Sequence, residues 1–279
     1  MRVLESSVVS RLFFLIIPMS SLAVNSLKLA DFASLPFVKQ ALATPKSSKS
    51  VLSYFFGVDY SNPTEVDEKM RQGKSLFQMQ DLWYKGGPDY DALCQPFGDT
   101  VRAAGKGELD GWNGSVDGVV ARMILCDQLA RNVFRGTPEA FAYDATALAS
   151  VRSLFQAFSS SKSSNTESPL EGEFYPPYLS FMITAFMHSE TLEDHEECLE
   201  LLAMVKEHCN EDELMAQWNY QEQFAKDHKD VIERFGRYPH RNSLHGRDCT
   251  PEEDAWLSDR DNLPIWALSQ LPASDSKQT

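Results

Sequence analysis

Three predicted helices carry polar or ionisable side chains on the face that otherwise consists of apolar residues. The apolar stripe of the helix predicted over residues 116–135 begins with Val120 and Ile124. Asp127 and Arg131 continue this stripe, since steps of three or four residues return to the same helix face. A charge buried without a partner is costly, and a separation of four residues lets these two side chains pair. We therefore expect either a buried ion pair or part of a functional site.

Histidines and a nearby glutamate offer proton-transfer chemistry. His188 ends the aromatic stripe of a second helix, predicted over residues 173–190, and Glu190 follows two residues later. A third helix carries His228 on its inward face, and His240 lies in the loop after it. Imidazole exchanges protons near neutral pH, and a carboxylate can orient its ring. The candidate catalytic residues are therefore His188, His240 and Glu190.

The loop after the third helix is dense in hydrogen-bond donors. Gly236 favours a helix end, and Pro239 prevents a new helix from starting there. Guanidinium groups bind carboxylates and phosphates through paired hydrogen bonds, so arginines gathered in the turns of an acidic chain indicate an anion site. The candidate ligand-binding residues are Asp127, Arg131, Asn132, Arg135, His188, Arg237, His240, Arg241 and Arg247.

These residues support three functional hypotheses. In the first, which we favour, they bind a small anionic ligand or an acidic peptide in an Arg/His-lined groove. In the second, the protein is an enzyme that uses His188 or His240 as acid or base, oriented by Glu190 or Asp127. In the third, the polar residues form an internal clasp in a structural or interaction scaffold without a ligand. Buried histidines and ion pairs are commonly structural, so the sequence leaves all three open.

The sequence lacks the short motifs of common cofactor and metal sites. It contains no P-loop, no G-x-G-x-x-G fingerprint, no H-E-x-x-H, no C-x-x-C and no EF-hand loop. His240 and His245 could bind a metal together with His188, yet nothing in their spacing requires it. We therefore predict no cofactor and no metal site.

The charge distribution excludes one class of partner. The chain has a net charge of −14. Residues 1–50 carry six Lys/Arg and two acidic residues, a net charge of +4, so residues 51–279 have a net charge of −18. Neutralising phosphates supplies most of the affinity for nucleic acids, which argues against nucleic-acid binding by so acidic a body. The same charge favours solubility. We expect a small anionic molecule or a protein or peptide as the partner.

The first 50 residues have the composition of a targeting segment followed by a linker. Leu12–Val24 is a mostly apolar run preceded by Arg2 and Arg11, and it is shorter than the ~20 residues that span a bilayer. The Ser/Ala/Lys-rich stretch after it is nearly free of acidic residues. We expect import into an organelle, a plastid or mitochondrion, with a secreted/ER or cytoplasmic location as the alternative. We expect no stable membrane span in the mature chain.

Apolar residues from Val51 onward recur at helical rather than alternating spacing, so we predict an all-α domain over residues 51–268 and a disordered tail over 269–279. An Asn-Pro-Thr-Glu sequence at Asn62 and a Thr-Pro-Glu-Glu sequence at Thr250 are typical helix starts. The seven or eight predicted helices cover about 63–84, 88–105, 116–135, 138–158, 173–190, 192–208, 212–235 and 251–257. A Ser-rich connection lies at 159–169, and residues 46–50 are expected to form a linker.

Several of these segments together resemble one protein family. They are residues 127–137, His188-Ser189-Glu190, residues 235–242, Gly246-Arg247 and residues 250–253, after an N-terminal part that begins at Val51. They resemble the uncharacterised family called Domain of Unknown Function 924, over about residues 51–268. The resemblance implies a tetratricopeptide-like helical fold and no established activity. Ala130 stands where the family tends to have proline, and His195 and His245 replace a glutamine and a leucine.

Overall fold

The structure of the protein, a computed structural model, describes residues 26–162 and 168–268. Every regular element in these two stretches is helical, apart from one isolated bridge between Ser115 and Glu171. The predicted all-α class is therefore confirmed. The α-helices are α1 (Leu29–Ser34), α2 (Pro36–Ala43), α3 (Ser48–Phe56), α4 (Pro63–Arg71), α5 (Lys74–Lys85), α6 (Gly87–Cys94), α7 (Gly98–Gly105), α8 (Val116–Met123), α9 (Ala130–Val133), α10 (Asp144–Lys162), α11 (Pro176–Met187), α12 (Leu192–Glu207), α13 (Asp212–Phe235), α14 (Pro251–Ser258) and α15 (Ile265–Leu268).

Side-chain caps begin two helices where the sequence indicates. Asn62 Oδ1 accepts a hydrogen bond from Glu65 N at 3.3 Å, and Pro63 takes the first position of α4. Thr250 and Glu253 form a complete capping box at the start of α14, in which each side chain accepts a backbone N–H of the other residue. Both predicted helix starts are confirmed.

Two predicted helices are interrupted near the N-terminal end of the domain. The helix expected over 63–84 breaks between α4 and α5, because Gly73 adopts a left-handed conformation with φ of 65°. The helix expected over 88–105 contains a 3-10 turn at Gln95–Phe97, whose middle residue is a proline without a backbone N–H. Each break follows from a residue that disfavours a continuous helix.

Two further helices differ from the prediction in ways that shape the site. The helix expected over 138–158 begins as a separate 3-10 turn at Pro138–Phe141 and becomes α-helical only at Asp144. The helix expected over 116–135 widens into a π-helical segment at Ile124–Leu129, between α8 and α9. Such a segment inserts one residue into the helical repeat and rotates the side chains that follow it.

Residues ahead of the predicted domain also pack against it. Phe32 of α1 and Val38 of α2 are fully buried in the main core. We expected a linker over residues 46–50, but α3 begins inside it because Ser47 Oγ accepts a hydrogen bond from Ser50 N at 3.1 Å. The helical packing therefore starts before residue 51.

Three predicted features fall wholly or partly outside the described residues. The apolar run Leu12–Val24 and the tail over 269–279 lie outside them, and the Ser-rich connection over 159–169 is described only in part, with α10 extending to Lys162. The division into residues 1–50, 51–268 and 269–279 stays a prediction. Within the described stretches, no helix combines the length and the apolar content that a membrane crossing requires.

The main core lies around the middle of the chain. Helix α8 packs against α3 and α10, and the π-helical segment after it contacts α7 and α10. From α10 to α13 each helix packs against the next, and only four residues connect α11 to α12. A smaller apolar cluster of Val231, Ile232 and Tyr238 lies at the end of α13, against Trp256 and Trp266.

Candidate functional site

A carboxylate and an imidazole meet between the π-helical segment and the end of α11. Asp127 lies on the π-helical segment, a type of distortion that is frequent at functional sites. His188 is the residue at which α11 ends. Its Nδ1 lies 2.6 Å from Asp127 Oδ1, and the Asp127 side chain is 2% exposed. Because an ionised carboxylate only accepts hydrogen bonds, Nδ1–H donates, and we call this pair the dyad.

The neighbours of Asp127 keep it ionised. Burial alone would raise the pKa of this carboxyl, but the His188 ring, the Arg131 guanidinium and the Gln128 amide outweigh burial and lower it. Gln128 Nε2 donates to Asp127 Oδ2 at 2.5 Å, and Arg131 Nη2 lies 3.7 Å from Asp127 Oδ1. Asp127 is therefore a fixed negative charge behind the imidazole.

The second ring nitrogen of His188 is open. The His188 side chain is 22% exposed, and its Nε2 has no hydrogen-bond partner among the described residues. With the proton of the neutral ring on Nδ1, Nε2 is the basic nitrogen. The dyad can accept a proton from a molecule at the surface, or return one to it.

Two arginines flank the dyad over one aromatic ring. The guanidinium carbons of Arg131 and Arg241 lie 4.5 and 4.8 Å from the centre of the Phe141 ring. Asp144, at the start of α10, pairs with Nη1 of both arginines at 2.7 and 3.4 Å. Arg241 Nη1 also donates to His188 O at 3.0 Å. These contacts join the end of α11, the start of α10 and the loop after α13.

Glu190 anchors the turn that follows His188. Its carboxylate accepts hydrogen bonds from two nitrogens of Arg247 at 2.6 and 2.9 Å, and from Tyr238 N at 2.9 Å. Burial opposes ionisation, but the bonds from Arg247 and the Tyr238 backbone outweigh it and lower the pKa of Glu190. Of the two carboxylates proposed to orient a histidine, the structure sets Asp127 against the His188 ring and commits Glu190 to Arg247.

His240 lies in the interior rather than at the surface. Its ring is buried, and neither ring nitrogen has a hydrogen-bond partner among the described residues. Burial and then the neighbouring Arg241 lower the pKa of His240 well below its usual range. The rings of Tyr238 and Trp266 pack against it, each with a centre 5.4 Å away. His240 is thus neutral and enclosed, unlike His188.

Three further predicted site residues bind carboxylates other than that of the dyad. Asp91 accepts hydrogen bonds from Asn132 Nδ2 at 2.7 Å and from Arg135 Nε and Nη2 at 2.5 and 3.0 Å. Arg237 donates from Nε and Nη2 to Glu253 at 2.7 and 2.8 Å. The predicted ligand-binding residues therefore divide into these separate pairs and a cluster around the dyad, which contains Asp127, Arg131, His188 and Arg241.

Phe141, Asp144 and Gln128 belong to the cluster but do not stand out in the sequence. The helix expected over 138–158 places Asp144 inside a regular helix, whereas the 3-10 turn before it puts Asp144 in the first turn of α10. An acidic residue in the first turn of a helix is a recognisable pattern, so Asp144 could have been identified if the start of α10 had been predicted correctly. Phe141 and Gln128 give no such signal, because aromatic and amide side chains are ordinary in helical sequences.

The dyad lies at the protein surface. The structure contains a cleft of about 500 Å³ and another of about 200 Å³, and neither is lined by His188. Among residues 26–162 and 168–268, no group of three or more His, Cys, Asp or Glu side chains is arranged to hold a metal ion. The imidazole of His188, held by Asp127 next to two guanidinium groups, is suited to proton transfer.

Comparison with known proteins places the chain in a family. A family model described as a bacterial protein of unknown function, DUF924, matches residues 53–261. The chain belongs to the DUF924 family. A solved structure of a protein of unknown function from Agrobacterium tumefaciens is similar, with 28% identity and a TM-score of 0.50 over 63% of this chain and 88% of that one. A comparison with curated proteins finds no relative. The family predicted from the sequence is therefore confirmed, and it brings no known activity.

Proposed function

We propose that this DUF924 protein performs acid–base chemistry at His188. Nε2 exchanges a proton with a molecule bound at the surface, while Asp127 holds Nδ1–H and stabilises the protonated ring. The observation that supports this proposal is the 2.6 Å contact between a buried, ionised carboxylate and a ring whose other nitrogen is open. Of the two histidines considered as acid or base, only His188 has this combination.

The two arginines beside the dyad favour a substrate that carries or develops negative charge. Arg131 and Arg241 share the Asp144 carboxylate, and Asp127 balances the remaining positive charge until His188 is protonated. Fixed positive charge next to a proton-transfer site stabilises an oxyanion that forms there. We therefore propose a small anionic substrate, which keeps anion binding as a part of the function.

An anion-binding groove built from all the predicted arginines has less support. Arg135, Arg237 and Arg247 each direct two nitrogens at one carboxylate, which a ligand would have to displace. These pairs instead support the internal-clasp hypothesis for their own parts of the molecule, where Arg135 and Arg237 tie loops to helices and Arg247 ties two loops together. The clasps and the dyad can coexist, because they share no carboxylate.

A substrate screen tests the proposal. Purified protein is incubated with panels of small anionic esters, lactones and hydroxy acids, and turnover is followed by proton NMR. Acid–base catalysis contributes about 10²–10⁴-fold, so His188→Gln should lower kcat/KM for any substrate found by about that factor. Asp127→Asn should cause a loss of the same order, because the wrong tautomer of His188 is then favoured.

Arg135→Met is the matched control, since it removes a cation whose carboxylate partner, Asp91, is not part of the dyad. Its kcat/KM should equal that of the unaltered protein. Turnover that persists in His188→Gln would assign the chemistry to other residues, and equal losses in His188→Gln and Arg135→Met would indicate a general loss of folding.

A further inference from the structure

An open groove runs between α8 and α10, on a part of the surface that the dyad does not use. Its volume is about 500 Å³, within the range of about 300–1,000 Å³ that is typical of small-molecule sites. Val119 and Arg122 of α8 line one side. Ala145, Ala149 and Ser153 line the other side, where they are exposed and leave the surface of α10 uncovered.

Arg122 is the cation of this groove and Asp110 its anion, and only one of the two N–H groups on the Nε–Nη2 edge of Arg122 has a partner. Its side chain is 11% exposed, and Nη2 forms an ion pair with Asp110 Oδ1 at 2.9 Å. Nη1 donates to Asn113 Oδ1. Nε is buried and has no hydrogen-bond partner among the described residues. Arg241 Nε and Arg247 Nε are also buried without a partner, and Arg122 differs from them in lining the open groove.

Two other arginines of this protein show which group binds the Nε–Nη2 edge of a guanidinium. In Arg135 and in Arg237, the two N–H groups on the Nε–Nη2 edge both donate to a single carboxylate, that of Asp91 or Glu253. Arg122 offers the same edge, but its carboxylate contacts Nη2 alone. A planar or tetrahedral anion that displaced Asp110 and reached both nitrogens would complete this edge.

Asp110 is a replaceable partner for Arg122. Its side chain is 63% exposed, and an ion pair at that exposure contributes little. It lies on a 3-10 turn at the rim, next to Gly111, where an added Cβ would meet nothing within 4 Å. An anion could displace Asp110 from Arg122 without disturbing the core.

We propose that the groove between α8 and α10 binds a small molecule through a carboxylate or phosphate group, which takes the place of Asp110 on the Nε–Nη2 edge of Arg122. The exposed alanines of α10 provide an apolar floor, and Thr146 and Ser153 add hydroxyl groups beside it. This site is separate from the dyad, because neither Asp127 nor His188 lines the groove, and the exposed groove residues of α10 lie opposite its buried face, which carries Val151.

Thermal unfolding with two probes tests this proposal. Inorganic phosphate or acetate is added to about 10 mM at constant ionic strength, and a bound anion should raise Tm by about 2–4 °C. The probe that gives the larger rise identifies the anionic group that the groove prefers. Arg122→Gln should abolish the rise, whereas Arg71→Gln, at an exposed ion pair on α4, should keep it.

Two further variants act at exposed positions and therefore leave the fold intact. Asp110→Asn removes the competing carboxylate, so a given probe concentration should raise Tm further than in the unaltered protein. Ala149→Leu fills the groove and should remove the rise. The proposal is overturned if the unaltered protein shows no rise with either probe, if Ala149→Leu keeps it, or if Asp110→Asn reduces it. Activity at His188 plays no part in these readouts.

Discussion

Two kinds of charged pair occur in this protein, and they differ in what they leave free. In the pair of Arg237 with Glu253, both N–H groups of one guanidinium edge donate to one carboxylate, so the pair is complete. In the dyad, Asp127 occupies only Nδ1 of His188, and Nε2 stays open. A completed pair holds the structure together, whereas a half-occupied one can also act on another molecule.

This difference separates residues that look equivalent in the sequence. Arg131, Arg135 and Arg237 are all arginines beside apolar helix faces or in turns. The structure gives Arg135 and Arg237 their own carboxylates, while Arg131 joins a cluster at the surface around His188. A candidate site has more polar atoms that reach solvent and lack a hydrogen-bond partner than a structural pair has. This difference separates the two more clearly than the type of residue does.

The largest expected effect comes from removing the buried carboxylate of the dyad. Asp127→Ala should lower the free energy of unfolding by about 3–5 kcal/mol, because it leaves His188 and Arg131 without their buried partner. Urea unfolding at neutral pH measures this. Asp67→Ala at the exposed pair with Arg71 is the matched control and should cost less than about 1 kcal/mol. Equal losses in the two variants would show that Asp127 is not a special partner.

The second-largest loss of stability is expected when the buried carboxylate of a completed pair is removed. Glu253→Ala should cost about 2–3 kcal/mol, because it removes the partner of Arg237 and the capping box with Thr250 together. The hydrogen bonds from Arg237 lower the pKa of Glu253 to about 2, so this contribution is present at neutral pH and is lost as the pH falls toward that value. Urea unfolding measures this loss of stability. The variant should leave unchanged the rate at which His188 reacts with diethyl pyrocarbonate, a reagent that modifies accessible imidazole rings. A variant as stable as the unaltered protein would remove Glu253 from the clasps.

His228 contrasts with His188 because its ring is buried. A buried neutral imidazole should make the stability of the fold sensitive to acid. Burial lowers the pKa of His228 to about 3, and its ring stacks on Trp266 with centres 4.0 Å apart. The unfolded ring titrates near pH 6.5, so below that pH only the unfolded chain gains this proton. The stability is thus full above pH 6.5 and falls by about 1.4 kcal/mol per pH unit toward pH 3.

His228→Phe should remove that part of the pH dependence while keeping a ring against Trp266. Urea unfolding between pH 7 and pH 5 gives the slope for each variant. Phe224→Leu, which alters the neighbouring ring without removing a titrating group, should lower the stability and keep the slope. An unchanged slope in His228→Phe would show that the buried ring does not control the acid response.

The smallest effect is expected at an exposed clasp. The side chain of Arg135 is 52% exposed, and Asn132 Nδ2 still donates to Asp91 in its absence, so Arg135→Met should change the free energy of unfolding by less than about 1 kcal/mol. A loss as large as that of Glu253→Ala would mean that burial does not set the strength of these pairs.

The sequence was sufficient for the fold class and for several helix starts. Helical periodicity and the caps at Asn62 and Thr250 are local properties, so they can be read without knowing the tertiary structure. The breaks at Gly73 and at Gln95–Phe97 were missed because a helical pattern can continue across one glycine or proline. The π-helical segment could not be predicted, since packing rather than local sequence selects it.

The site could be predicted only in part, for a related reason. The polar residues on apolar stripes pointed to Asp127, Arg131 and His188, and these three do meet. The choice of partners could not be inferred, because Asp127 and His188 are 61 positions apart whereas Glu190 is two positions from His188. Tertiary contacts decide which carboxylate reaches the ring.

The most direct test of the open dyad is the rate at which each histidine reacts with diethyl pyrocarbonate, followed by mass spectrometry of peptides at neutral pH. The open Nε2 of His188 should react about tenfold or more faster than the buried rings of His195, His228 and His240, and Asp127→Asn should slow it. Reaction of His188 at the rate of the buried rings, or a rate that Asp127→Asn leaves unchanged, would contradict the account.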